Sequence, residues 1–133
     1  MTQEEKYDYW VDISQYDLES AEAMLQSGRY AYVCFMCQQS LEKLAKGLYN
    51  FYIDDNVPRV HNISFILRKT LDLLGTDASE LQFRLFDTLA AYYIQGRYPT
   101  FKSKISQLID GEQASALLVE SKEVFLWLKA LKK

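Results

Sequence analysis

Glycine and proline punctuation is the feature that most limits what this chain can become. Gly28, Gly75, Gly96, Gly111, Pro58 and Pro99 divide it into blocks. Inside each block apolar residues recur at spacings of three and four, the period of one helical face. No segment alternates apolar and polar residues with the period of two that a half-buried strand needs. Successive amphipathic helices joined by short connections favour antiparallel neighbours. The expected fold is therefore all-α: an up-and-down helical bundle of four to five helices, in one domain over residues 1–133.

The first block runs from about Glu4 to Ser27, with Trp10, Ser14, Asp17, Leu18, Ala21, Met24 and Leu25 on one side and Gly28 placed as a left-handed cap. The second, Tyr30 to about Tyr52, carries the stripe Leu41, Leu44, Ala45, Leu48, Tyr52. Its first part, Tyr30–Cys37, is apolar all round, which means burial on two sides, either inside the fold or against another subunit. Gly47 lies mid-helix at a cost of about 1 kcal/mol relative to Ala, which is either offset by a close helix crossing or simply tolerated. A polar connection with Pro58 leads to Asn62, a good N-cap for a third helix that Gly75 ends. The fourth block, about Ser79 to Gln95, has Ser79 as N-cap and Leu81, Leu85, Leu89 and Tyr92 pointing inward. Residues 97–111 carry the weakest pattern, with a short turn expected over Ser103–Ile109. A last helix from about Glu112 to Leu131 is strongly amphipathic.

About half of the 133 residues are hydrophobic and a quarter charged, an ordinary globular balance, so the core needs neither disulfide nor metal. The net charge of −3 argues against indiscriminate nucleic-acid binding, which depends on neutralising phosphates. No basic head precedes an apolar run at the N-terminus, and Tyr30–Cys37, the longest apolar stretch, is too short to cross a bilayer. A cytoplasmic protein with no membrane contact is expected. Ten tyrosines, seven phenylalanines and two tryptophans suit either a ring-rich core margin or a groove lined by ring edges.

Few residues offer chemistry. Cys34 and Cys37 form a C-x-x-C, but inside an apolar helix with no strand before it, so buried structural thiols are expected. With a single histidine in the chain, no metal-ligand set is visible and no metal is expected. Gln38, Glu42 and Lys46 share a helical stripe, Glu42 and Lys46 in the favourable order for an ion pair. They form either a solvated flank or a polar strip along a cleft, where Lys43 or Lys46 would meet a phosphate. His61 precedes the third helix, as an anion-site residue or as a loop histidine bonded to a neighbouring helix. Arg97 and Tyr98, between Gly96 and Pro99, suit either a planar anion or the carbonyls ending their own helix. Asp17 falls within an apolar stripe, where a carboxylate needs a pair or a hydrogen bond; a structural pair with a Lys or Arg of another helix, or with a free helix terminus, is expected over a catalytic base.

The order Asp17-Leu18-x-x-Ala21, Gly28-Arg29-Tyr30, then Cys37-Gln38-Gln39-Ser40-Leu41-Glu42-Lys43-Leu44-Ala45-Lys46, His61, and Arg97-Tyr98-Pro99 resembles the HEPN family of helical domains, found in prokaryotes and some eukaryotes. The resemblance covers almost the whole chain and implies an up-and-down bundle, dimerisation, and a nucleotide ligand or a partner nucleotidyltransferase, in some members as a toxin–antitoxin pair. The family's recurring polar positions fall on Gln38, Glu42, Lys43, Lys46, His61, Arg97 and Tyr98. Other members are ribonucleases using an Arg followed four to six positions later by His. Here Arg59 stands two positions before His61 and no His follows Arg97, so that motif is absent. The expectation is a homodimeric binding module without catalytic residues or cofactor. The alternatives are an atypical ribonuclease built on His61 with Arg59 or Arg97, which would act on RNA, and a pure protein-interaction bundle.

Overall fold

The computed structural model describes residues 1–97 and 107–133. Five helices, α1 (Gln3–Gln26), α2 (Tyr30–Tyr52), α3 (Ile63–Leu74), α4 (Glu80–Arg97) and α5 (Gly111–Leu131), form the expected all-α up-and-down bundle. Among the described residues there is no strand, and no helix is long and apolar enough to cross a membrane.

Local chemistry starts and stops these helices. Thr2 and Asp110 close capping boxes with Glu5 and Gln113, and Ser79 and Gln82 bond each other's backbone N–H at the head of α4. Each supplies acceptors to N–H groups that no helical turn can satisfy. The Asp110 box starts α5 about one residue before the pattern indicates. Asn62 caps α3 by accepting from the Phe65 amide at 2.9 Å. Gly28 and Gly75, at φ 76 and φ 69, take the left-handed turns after α1 and α3. Gly96 does not terminate α4, which continues to Arg97. Pro99, and Ser103–Ile109 apart from its last three residues, lie outside the described residues.

α2 is the central element and packs against all four other helices. Val33, Cys34, Cys37, Leu41, Leu44, Ala45 and Leu48 are fully buried along it. The inner side of Tyr30–Cys37 is therefore core of this chain, while Tyr32 remains 46% exposed on its outer side. The thiols are free and buried. Burial pushes the Cys34 thiol up to about 12, with Cys37 adding to it. Burial likewise pushes the Cys37 thiol up to about 11, partly offset by the neighbouring Ser121 hydroxyl. Both are protonated structural groups at neutral pH, as their setting in the sequence implied.

α1 crosses α2 closely. A Cβ on Gly47 would stand 2.6 Å from Trp10 Cβ, so the glycine is what lets the helices approach. One turn along, Ser14 Oγ donates to the Ser40 carbonyl at 2.7 Å and Ser40 Oγ donates to the Ser14 carbonyl at 2.8 Å. This reciprocal bond fixes the register of the pair. The inward face of α4 also departs from the expected one: Leu81 is 75% exposed, Tyr92 is half-buried against the core, and Leu85, Phe86, Leu89 and Tyr93 turn inward. Leu81 instead lines an open recess with Glu120, Glu123 and Val124 of α5, which leaves it uncovered.

Candidate functional site

Gln38, Glu42, Lys46 and Asn50 stand four residues apart on α2 and form one ladder. The solvated-flank reading of this stripe is wrong, because Glu42 is 0% exposed, Gln38 1% and Lys46 9%. A buried carboxylate needs compensation, and Glu42 has two partners. Lys46 Nζ donates to Glu42 Oε2 at 3.1 Å. His61 Nδ1 lies 3.1 and 3.2 Å from the two carboxylate oxygens. An ionised carboxylate only accepts, so this contact places a proton on Nδ1.

The backbone of His61 is held as well. Gln38 Nε2 donates to the His61 carbonyl at 2.7 Å, while Gln38 Oε1 is buried with no hydrogen-bond partner among the described residues. The imidazole itself is 58% exposed and packs beside Tyr93, ring centroids 5.3 Å apart. His61 is thus at once a loop histidine bonded to a neighbouring helix and a surface-facing ring.

Further along the ladder, Asn50 Oδ1 accepts from Trp10 Nε1 at 3.2 Å, and Asn50 Nδ2 donates to Asp55 Oδ1 at 2.8 Å. Lys6 Nζ donates to the same Asp55 oxygen at 3.0 Å. These two bonds hold the exposed Asp55 carboxyl below the usual carboxylate range, the Lys6 bond contributing most. Lys6, Trp10, Lys46, Asn50, Asp55 and Arg59 line a cavity of about 470 Å³ that residues 56–58 complete. An indole, two amides and three cations around one carboxylate suit an anionic ligand with a planar group.

The site residues expected from the sequence do not all meet. Gln38, Glu42, Lys46 and His61 come together. Lys43 sits on another side of α2, toward α1, where its charge partly offsets the burial that raises the Asp17 carboxyl. Asp17 makes no hydrogen bond or ion pair among the described residues, so burial dominates there and the partner that its position calls for is only this through-space charge. Arg97 is the last residue of α4, and Tyr98 lies outside the described residues. Trp10, Asn50 and Asp55 are site residues that the sequence did not single out. Asn50 continues the four-residue ladder, a signal present in the chain, and Asp55 follows it by five residues in the connection after α2, whereas Trp10 is brought in by tertiary packing alone. Among the described residues no group of acidic, histidine or cysteine side chains is arranged to hold a metal ion.

The model of the HEPN domain matches residues 7–131. The crystal structure of TT1696 from Thermus thermophilus superposes with a TM-score of 0.83 at 23% identity, covering 95% of this chain and 98% of that one. The crystal structure of ST0689, described as an archaeal HEPN homologue, gives a TM-score of 0.77 at 25% identity over 96% and 98% of the two chains. No curated protein matches. With the family model spanning nearly the whole chain, and the bundle shared with these structures, this chain belongs to the HEPN domain family.

Proposed function

We propose that the chain is a non-catalytic HEPN module that binds a nucleotide in the cavity floored by Lys46. One observation carries this: a nearly buried lysine, tethered by a fully buried glutamate, opens onto a recess that also holds an indole, two amides and the Arg59 guanidinium. Glu42 takes no ligand itself. It fixes the ammonium of Lys46 in place before a ligand arrives, which lowers the ordering cost of binding. Arg59, exposed and without an ion pair among the described residues, supplies the second phosphate contact. The Trp10 ring offers a stacking face for the base. A homodimeric module of this kind would hold nucleotide for a partner nucleotidyltransferase, as the family resemblance implies, including in a toxin–antitoxin setting. Thermal unfolding against a panel of nucleoside mono-, di- and triphosphates tests the binding. A ligand at a hundredfold excess over its Kd stabilises by about 2.7 kcal/mol. No shift with any nucleotide refutes this function and leaves the protein-interaction bundle.

A second function is favoured by a specific contact. An exposed imidazole whose Nδ1–H is held by a buried carboxylate is oriented as a general base or acid. It supports the atypical ribonuclease. RNA cleavage by the wild-type chain that disappears in His61→Ala would establish that activity, and cleavage undiminished in His61→Ala would assign it elsewhere.

A further inference from the structure

Residues 56–59 form a wall with a cavity on each side. Beyond it from Lys46 lies a second recess of about 510 Å³, lined by Tyr49, Phe65, Arg59, Arg68 and Lys69 together with 56–58. Its chemistry is one-sided. Three cations line it, and no carboxylate does. Arg59, Arg68 and Lys69 are exposed and enter no ion pair among the described residues. This concentration of unpaired positive charge occurs in a chain whose net charge is −3.

Phe65, Arg68 and Lys69 stand three and four residues apart on α3, so they share one exposed helical face. Phe65 is 54% exposed although apolar, directly beside the cations. Cations flanking a bare aromatic ring are the combination that binds an unpaired nucleotide, phosphate on charge and base on ring. Arg59 lines both recesses, and Tyr49 and Asn50, adjacent on α2, line one each. The two cavities are therefore neighbours with a shared guanidinium.

We infer that the two cavities form one bipartite site for a short single-stranded oligonucleotide, with one nucleotide against Lys46 and Trp10, the next against Phe65, Arg68 and Lys69, and Arg59 on the phosphate between them. This rests on the nucleotide site at Lys46 and extends it from a mononucleotide to a strand.

The test is calorimetric titration of the full chain with oligoadenylates of one, two, three and four nucleotides, at several salt concentrations. The expected result is a gain of tenfold or more in affinity on passing from one nucleotide to two or three. The slope of log K against log salt should steepen by about 0.7 for each added phosphate contact. In the double variant Arg68→Glu/Lys69→Glu, on an exposed face where substitutions disturb folding little, the gain with length should fall below threefold. Lys129→Glu, an exposed charge reversal on α5, should keep it. Mononucleotide binding without a gain in length, or a gain undiminished in the double variant, overturns the bipartite site alone. Absence of binding by any nucleotide overturns the Lys46 site as well. An oligoglutamate peptide binding as tightly as the trinucleotide overturns the proposal in favour of an acidic protein partner.

Discussion

Glu42 has no exposed surface, yet it is the residue on which the site turns, because Lys46 and His61 both meet its carboxylate. Removing one member of a buried pair leaves the other uncompensated, at a cost of about 3–5 kcal/mol. Lys46 can relax toward its cavity, so Glu42→Gln should fall near the lower end, about 3 kcal/mol in urea unfolding. A change below 1 kcal/mol would mean that the carboxylate does not organise its neighbours. The buried thiols make a second prediction. A thiol whose folded pKa is raised contributes stability that is complete below its unfolded value near 9 and falls as pH rises toward the folded values of about 11 and 12. Tyr7, pushed up to about 12 chiefly by burial, follows the same sign from about pH 10. Stability should therefore decline from about pH 9 upward, and Cys34→Ala/Cys37→Ala should move the onset to about pH 10 while lowering stability overall. Equal alkaline profiles for the two proteins would contradict this.

Among the elements, α2 explains how the sequence and the structure correspond. Its apolar stripe and its polar ladder are both read from a spacing of three and four, since that spacing fixes which residues share a face. The same spacing does not say which polar face the other helices cover. Gln38, Glu42 and Lys46 therefore read equally well as a solvated flank until α1 and the 53–62 connection close over them. Leu81 is the opposite case, a residue in phase with the stripe that lines an open recess beside Glu120, Glu123 and Val124 of α5 and stays exposed. The Asn62 and Ser79 caps and the Gly28 and Gly75 turns were legible because they depend on a few adjacent residues. The Trp10–Asn50 contact was not, because it joins residues 40 apart in sequence. Gly47 supports a test at this scale. Alanine is intrinsically the better helix former by about 1 kcal/mol, but its methyl would meet the Trp10 Cβ at 2.6 Å. Overpacking of this kind costs about 1–3 kcal/mol, so Gly47→Ala should lower the melting temperature. A rise would show that the α1–α2 crossing has room to spare.

The whole molecule is a bundle whose central helix carries core on one side and, along a second line, a buried polar ladder that leads to a surface recess. α1 and the connection over residues 53–62 are arranged so that Lys46 emerges between Trp10 and Arg59. The family assignment fixes the scaffold, and the recess is the feature on which the proposed binding rests. Its neighbouring cations Arg68 and Lys69 were invisible as site residues in the sequence, where exposed helical cations are commonplace, and acquire meaning only from the cavity they share. The most direct measurement is thermal unfolding with and without nucleotides for the wild type, Arg59→Ala and Lys46→Met. A methionine keeps the aliphatic stem while removing the ammonium, and Arg59 is exposed, so Arg59→Ala should fold normally and Lys46→Met should fold with reduced stability. A nucleotide-dependent rise in melting temperature in the wild type that is weakened in Arg59→Ala and lost in Lys46→Met is the predicted result. A rise of the same size in all three proteins would contradict a nucleotide site at Lys46.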